Sequence, residues 1–125
     1  MKTTGGVVVS YESGNKLTSQ ESNKLTYYAL TGQNYLPWAR AVKIALRGCS
    51  KLGYVNGEIP KPNVSDSNFL DWEAHDNNVM KWLFNSMDSN IYEIFAYSET
   101  AKDLWTDLKE MYGHADNSPR IFEIE

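Results

Sequence analysis

The sequence predicts an all-α fold: a compact bundle of about five helices with short loops and a flexible amino-terminal arm. Beyond residue 34, apolar residues recur at intervals of three and four, which is the spacing of one helix face. Ser, Thr and Asn caps precede these stretches, and Gly follows several of them. Strand patterns are weak outside Val7–Val9. The 125 residues are 42% hydrophobic and 13% aromatic, enough for one domain with its own core.

Residues 1–24 differ in composition from the rest of the chain, being rich in Ser, Thr, Gly, Asn and Lys. Their one apolar run, Val7–Val9, is too small to offset the entropy cost of ordering the segment. We therefore expect a flexible arm at residues 1–24, with a short extended piece at 7–11, and a helical domain at residues 25–125.

The first predicted helix begins after Asn34, a good N-cap, and tolerates Pro37 in its first turn. Because Cys49 shares the apolar face of this helix, we expect it to be a small core residue. Gly48 weakens the last turn, and Gly53 can supply a left-handed cap that ends the helix. The predicted apolar face is Trp38, Val42, Ala45, Cys49 and Leu52.

The next stretch is predicted to be a turn followed by an extended connection. Residues 54–57 have the composition of a tight turn. Residues 59–62, Ile-Pro-Lys-Pro, are expected to be extended, since neither proline can donate a backbone hydrogen bond. A long helix then runs from about Phe69 to Met87 after a cap at Ser65–Ser67. Its apolar stripe is Trp72, Val79, Leu83 and Met87.

Two residues break the pattern of this long helix. Asp76 interrupts the apolar stripe, and a carboxylate near a core is usually hydrogen-bonded to an amide, an indole or a cation. We therefore expect Asp76 to anchor the approach of another element. Trp82 lies off the stripe, so it either packs on a different element or marks a partner surface.

Two shorter helices complete the central part of the chain. Ser89 is predicted to cap the first, which contains Ile91, Ile94 and Phe95. Thr100 followed by Asp103 is an acidic variant of the capping box and opens the second, which Gly113 ends. The second has the cleanest amphipathic pattern of the chain. Its apolar face is Ala101, Leu104, Trp105, Leu108, Met111 and Tyr112.

A last helix is predicted near the carboxyl end. Ser118 is its cap, Pro119 suits its first position, and Ile121–Glu125 begin it. Because it stops within two turns, we expect this helix to be truncated and the chain to be a fragment or the first part of a longer protein.

Net charge argues against a nucleic-acid surface. The formal charge is −4 and the isoelectric point is near 5.2, whereas phosphate binding needs clustered Lys and Arg. The 12 basic residues are dispersed along the chain. Arg40, Lys43 and Arg47 form the nearest approach to a basic stripe, and we expect them to be a solvated helix face.

The sequence contains one weak candidate for metal or acid–base chemistry. Asp71 and His75 are four residues apart, with Glu73 and Asp76 nearby, so the group can in principle hold a metal. The alternative, which we favour, is a charged and solvated helix face. Two histidines and one cysteine cannot form a zinc knuckle or a structural zinc site. We therefore expect no cofactor and no enzymatic activity.

The cysteine content and the hydropathy of the sequence indicate the cellular compartment of the protein. A single cysteine excludes an intramolecular disulfide and suits a reducing environment. No run approaches the roughly 20 apolar residues that a membrane helix needs, and Val7–Val9 is too short for a signal peptide. We expect a cytoplasmic protein that does not engage a membrane.

The aromatic residues divide into a predicted core and a predicted surface. Residues on the apolar stripes are expected to be structural, and those off the stripes or in loops are candidates for an interface. The predicted structural core is Tyr35, Trp38, Val42, Trp72, Val79, Leu83, Leu104, Trp105, Leu108 and Tyr112. The candidate interface residues are Tyr27, Tyr28, Tyr54 and Trp82.

The same residues carry a resemblance to the Gag polypeptide of copia-type LTR retrotransposons, which are abundant in plants. Leu30–Tyr35 with Trp38 resembles the "L-x-G-x-N-Y-x-x-W" opening of that family, and Gly53–Gly57 its "G-Y/F-V/I-x-G" turn. The long helix resembles "W-x-x-x-D-x-x-V-x-x-W-L-x-N-S" through Trp72, Asp76, Val79, Trp82, Leu83, Asn85 and Ser86. The next resembles "T-A-x-x-L-W-x-x-L-x-x-x-Y" through Thr100, Ala101, Leu104, Trp105, Leu108 and Tyr112. Arg120–Ile124 is similar to the start of the helix that follows in the family.

The resemblance, which spans about residues 25–125, implies a structural capsid domain. Relatives of this kind self-associate into virus-like particles that enclose the RNA of the element. The expected partner is therefore a second copy of the chain, and RNA only indirectly, through downstream segments such as a zinc knuckle. Two alternatives remain: a domesticated Gag-like domain that serves a host as an adaptor or restriction factor, and an enzyme using Asp71, His75 and Asp76.

Overall fold

The computed structural model describes residues 24–114, and these form helices joined by short connections. The predicted all-α class is confirmed, because no sheet occurs among the described residues. One isolated parallel bridge joins Leu30 to Met87. In chain order the described helices are α1 (Tyr35–Gly48), α2 (Gly53–Asn56), α3 (Phe69–Phe84), α4 (Ser89–Phe95) and α5 (Ala101–Tyr112).

The five described helices are not the five that the sequence predicted. The predicted arm at residues 1–24 and the predicted last helix from Ser118 lie outside the described residues, apart from residue 24. The segment predicted as a tight turn is instead the short helix α2. Its residues Tyr54 and Val55 are buried, so burial of two large apolar side chains holds a helical turn that the local sequence does not favour.

Helix α1 ends earlier than predicted, and Cys49 is exposed rather than part of the core. The chain leaves the helix at Gly48, a weak helix former, and Ser50 adopts the left-handed conformation with φ of 64°. The N–H of Lys51 then donates to the carbonyl of Leu46 at 2.8 Å, and that of Ser50 to Arg47 at 3.1 Å. This is the Schellman arrangement, built on Ser50 and not on the predicted Gly53.

Helix caps match the prediction in part. Thr100 precedes α5 and its hydroxyl accepts from the N–H of Asp103 at 3.1 Å, which confirms the predicted cap. Helix α3 begins at Phe69 as predicted, with Asn68 and not Ser65–Ser67 at the N-cap position, and it ends at Phe84 and not at Met87. Asp88 occupies the N-cap position of helix α4 without a capping hydrogen bond from its side chain, and Ser89 is the first residue of the helix. These shifts of one to three residues are typical of helix ends, where several polar residues compete for the cap.

Asp76 joins α3 to the start of α5. Its side chain is buried, and its Oδ1 and Oδ2 atoms accept from the backbone N–H of Ala101 at 3.2 and 3.3 Å. The expectation that Asp76 anchors another element is therefore confirmed. Burial raises the pKa of this carboxyl, and the hydrogen bond from Ala101 opposes that rise.

The core is one continuous cluster to which all five helices contribute. It also contains Leu30 from the segment before α1, and Met87 from the connection after α3. Trp82, Trp105 and Tyr112 are partly buried and pack against this cluster. Met111, which was placed on the apolar face of α5, is instead 52% exposed, because α5 is covered on one side only.

Candidate functional site

Most of the described motif residues are buried or partly buried and make contacts that stabilise the fold. Asn34 closes the turn before α1: its Oδ1 accepts from the N–H of Thr31 at 2.9 Å, and its Nδ2 donates to the carbonyl of Ala29 at 3.1 Å. Leu30, which stands between Ala29 and Thr31 in the sequence, donates its N–H to the carbonyl of Ser86 at 3.0 Å. The polar residue of this motif therefore shapes a turn and is not available to bind a ligand.

Ser86 is the point at which three segments of the chain meet. Its carbonyl accepts from the indole N–H of Trp38 at 2.7 Å. Its hydroxyl accepts from the N–H of Leu25 at 2.8 Å and donates to the carbonyl of Trp82 at 2.8 Å. Ser86 is itself 2% exposed, so these bonds are made away from water, where an unpaired polar group is costly. The terminal serine of the "W-L-x-N-S" motif is thus a structural residue.

An aromatic stack joins the first motif to the last. The rings of Trp38 and Trp105 stack with centroids 5.9 Å apart.

Gly32 has φ of +97°, and a Cβ placed there lies 3.2 Å from the ring of Tyr112. The glycine is required both by its backbone conformation and by the close approach of that ring.

Tyr54 was proposed as an interface residue, and the structure corrects this assignment. The side chain is 8% exposed, and its ring lies 5.9 Å from that of Trp72. The carbonyl of Ile59 accepts from the indole N–H of Trp72 at 2.9 Å, which closes the connection over both aromatics. Burial, followed by the charges of Asp71 and Asp76, raises the pKa of Tyr54. The family-like turn is therefore another internal part of the fold.

The other candidate interface residues differ in exposure. Tyr27 and Tyr28 are 101% and 81% exposed. They lie between Leu25 and Leu30, whose N–H groups both donate to Ser86 just after α3. Trp82 is half-buried against the core, as noted above, so it presents only part of its ring. Of the predicted core residues, Trp105 and Tyr112 are the two that keep some exposure, and the other eight are buried.

The group around His75 does not assemble a metal site. Among residues 24–114 there is no group of three or more His, Cys, Asp or Glu side chains arranged to hold a metal ion. Asp76 points to Ala101, while His75 lies between Asp71, 3.7 Å from its Nε2, and Lys51. The ammonium of Lys51 has only donors, so the Nδ1 atom of His75, 3.2 Å away, accepts from it.

A basic groove lies between α1 and α5, and we define it by five cationic side chains. Arg40, Lys43 and Arg47 line it from α1, and Lys102 and Lys109 from α5. Trp105 and Val55 also line it, and Glu110 is the one carboxylate that lines it within residues 24–114. The groove has a volume of about 960 Å³. The side chains predicted to be a solvated helix face are therefore one wall of a recess.

Sequence reasoning missed this groove because it judged basic residues by their spread along the chain. Of the nine Lys and Arg among residues 24–114, five line this one recess. A signal was present: Lys102 and Lys109 are seven apart, as are Arg40 and Arg47, so each pair occupies one face of its helix. What no local pattern contains is that these two faces meet.

A second feature is an apolar patch at the junction of α4 and α5. Ile94, Tyr97 and Met111 are 59%, 92% and 52% exposed and line one recess of about 520 Å³. Phe95 and Ser98 also line it, and Asp107 and Glu110 supply its acidic rim. Several large apolar side chains exposed in one place are typical of a contact surface for another protein.

The described part of the chain is thus an all-α module in which most of the described motif residues are buried or partly buried, and whose distinctive surfaces are a basic groove and an apolar patch. The family model of the Gag polypeptide of copia-type LTR elements matches residues 18–63. This match confirms the resemblance to that family over the first two motifs, at residues 30–38 and 53–57, and supports a retrotransposon Gag domain, while the motifs from Trp72 onward lie outside the matched residues. It includes the turn at Asn34, helix α1 and helix α2.

Comparisons with curated proteins and with solved structures found no match. Within residues 24–114, no helix has the length and apolar character that crossing a membrane requires. The family match is therefore the one comparison that bears on function, and it covers less than half of the chain.

Proposed function

We propose that this chain is a structural capsid domain of a copia-type Gag and acts by associating with further copies of itself. In this proposal the assembled particles enclose the RNA of the element, and the chain itself catalyses no reaction. The family match supports the Gag assignment. The single structural observation that carries the self-association is the apolar patch of Ile94, Tyr97 and Met111.

The patch has the composition of an interface and lacks that of a reaction site. Its centre is apolar, and its floor is Phe95, which is 7% exposed. Its rim carries Asp107 and Glu110, and no Lys or Arg of residues 24–114 lines it. Covering Ile94, Tyr97 and Met111 would remove apolar surface from water at about 25 cal/mol per Å². A single contact of this size is weak, and a shell gains stability by repeating it many times.

Charge predicts how the association depends on salt. The whole chain carries a formal charge of −4, and the rim of the patch is acidic, so two copies repel each other at low ionic strength. Salt screens this repulsion and leaves the apolar contact in place. We therefore expect association to strengthen as salt is raised from low to physiological concentration.

Sedimentation and light scattering on the full chain, followed by negative-stain imaging, test this function. We expect the weight-average mass to rise with protein concentration and with salt. Tyr97→Asp should abolish that rise, because it places a charge at the centre of the patch. Val64→Asp is the matched control, since Val64 is also an exposed apolar residue in a connection, at 78% exposure, outside the patch. A wild-type chain that stays monomeric at every concentration, or equal loss in both variants, would contradict the proposal.

A further inference from the structure

The basic groove between α1 and α5 concentrates charge beyond what a solvated surface requires. Its five cations come from two helices and face one recess, in which Glu110 is the only carboxylate among the described residues. Within residues 24–114, the one basic nitrogen that lies within 4 Å of a carboxylate oxygen is Nε2 of His75, beside Asp71, so none of the five cations is paired with a described carboxylate. Like charges that share a recess repel one another, and an anionic occupant would relieve that repulsion.

The walls of the groove are not only cationic. Ile44 is 52% exposed and lines the groove from α1, and the partly buried Trp105 supplies further apolar surface from α5. A ligand that binds through charge alone would leave this apolar surface in contact with water. The best-matched occupant is therefore a peptide segment that presents both carboxylates and large apolar side chains.

The chain contains such a segment directly after the groove. Gly113 and His114 line the groove and are the last described residues, so the next residues of the sequence are joined directly to the lining of the groove. Residues 115–125 contain three carboxylates and one cation. The carboxylates are Asp116, Glu123 and Glu125. Ile121, Phe122 and Ile124 are interleaved with the last two of them, which combines both kinds of side chain within five residues.

The geometry of the two helices allows this segment to reach the groove. Gly32, just before α1, lies against Tyr112 at the end of α5, while Gly57 lies against Lys102 at its start. The two helices therefore run in opposite directions, and a segment that follows α5 must reverse to run along the groove. Six residues, 115–120, span up to about 20 Å when extended, which is more than a reversal needs. Asn117, Ser118 and Pro119 are residues that favour such turns.

We infer that residues 121–125 of this chain dock in the basic groove, with Phe122 against the apolar wall near Ile44 and Glu123 and Glu125 among the cations. The segment covers the groove of its own copy, so the groove is an internal contact of the domain and not a site for RNA. This inference goes beyond the proposed self-association, because it concerns a different surface and a contact within one chain.

A double-mutant cycle in the full chain tests the contact by thermal unfolding at low protein concentration. Ile44→Asp and Phe122→Ser should each lower the unfolding midpoint by about 4 °C, because each removes the same apolar contact. The double variant should fall no further than either single variant, since neither partner then remains to be lost. If the segment does not dock, Ile44→Asp adds a carboxylate beside free cations and should not lower the midpoint.

Ile94→Asp provides the matched control, because it is the same substitution on another helix at a similar exposure of 59%. Combined with Phe122→Ser, it should give additive effects. Additive effects for Ile44→Asp with Phe122→Ser would overturn the inference. If the effects of Ile44→Asp and Phe122→Ser became non-additive only at high protein concentration, the segment of a second copy would occupy the groove. That result would also overturn the inference.

A fluorescein-labelled polyuridine 12-mer tests the competing ligand class. We expect no change in its fluorescence anisotropy with wild-type protein at physiological salt. Saturable binding that Arg40→Glu abolishes would show that the groove takes phosphates and would overturn the inference. Self-association through the apolar patch is measured separately with Tyr97→Asp, so failure of either proposal leaves the other testable.

Discussion

The indole N–H of Trp38 donates to the backbone carbonyl of Ser86 at 2.7 Å, across 48 residues of sequence. Ser86 is buried and uses its hydroxyl to bind Leu25 and Trp82 as well. This one relationship joins the start of α1 to the end of α3 and to the segment that precedes α1. It explains why Trp38 and Ser86 belong to separate family-like motifs and yet serve one structural purpose.

Replacing Trp38 with Phe should reduce the free energy of unfolding by about 1–3 kcal/mol, because the ring is shortened and a buried hydrogen bond is lost. Chemical denaturation monitored by circular dichroism measures this change. Trp105→Phe is the matched control, since Trp105 stacks on Trp38 but is only partly buried. A smaller loss for Trp38→Phe than for Trp105→Phe would contradict the importance assigned to the indole bond.

Ser86→Ala should cost about 1–2 kcal/mol and should release the segment before α1 locally. The N–H of Leu25 loses its acceptor in this variant, so its amide hydrogen should exchange with solvent faster than in the wild type. Hydrogen exchange monitored by NMR provides the measurement. Ser98→Ala serves as the control, because the hydroxyl of Ser98 donates to the carbonyl of Phe95, three residues away, and so makes a local bond. Unchanged exchange at Leu25 would show that the hydroxyl does not hold this segment.

Gly32→Ala and Gly48→Ala should have opposite effects on stability. At Gly32 the positive φ and the ring of Tyr112, 3.2 Å from the new Cβ, should cost about 1–2 kcal/mol. At Gly48, the last residue of α1, nothing lies within 4 Å of the new Cβ, so the helix should gain up to about 1 kcal/mol. Urea midpoints of the two variants test the pair. Equal effects of the same sign would be inconsistent with the conformation described for Gly32.

The raised pKa of Asp76 should be visible in how the free energy of unfolding depends on pH. Burial raises its pKa in the folded protein above the ordinary value of 3.8, so folding favours the protonated carboxyl. Its stabilising contribution is complete below pH 3.8 and is lost as the pH rises through the folded pKa. Asp76→Asn keeps a neutral acceptor for Ala101 and removes this titration.

The stability of Asp76→Asn relative to the wild type should therefore increase as the pH is raised from about 4 to 7. Urea unfolding at several pH values measures the difference between the two proteins. Asp76→Ala, which leaves the N–H of Ala101 without its acceptor, should be destabilised by about 1–3 kcal/mol throughout this range. If the free energy of unfolding of the wild type instead increased relative to that of Asp76→Asn as the pH rises, the fold would stabilise Asp76 as a carboxylate and this prediction would be wrong.

Local patterns in the sequence were sufficient for several features of the fold. The spacing of apolar residues predicted an all-α protein, because one face of every helix has to be buried wherever its partner lies. The capping pattern placed Thr100 correctly, since a cap acts within its own turn. The interruption at Asp76 identified a buried carboxylate with a structural partner. The partner itself, the N–H of Ala101, was not predictable, because the two residues are 25 positions apart.

The errors came from features that depend on what covers a residue. Cys49 continues an apolar spacing but is exposed, because the chain leaves α1 at Gly48. Tyr54 lies in a segment with the composition of a turn but is buried under Ile59 and beside Trp72. Met111 is on the apolar side of α5 but remains half-exposed where no helix packs on it.

The sequence by itself determined the helical class, the family resemblance and the positions of most helices, because hydrophobic spacing and capping act over one or two turns of the chain. Only the tertiary structure decided that Arg40 and Lys102 line one groove, and that Ile94 and Met111 share one patch. These surfaces are made by residues from different helices. Their proximity follows from how the helices pack, and packing is settled by contacts between residues that are distant in sequence.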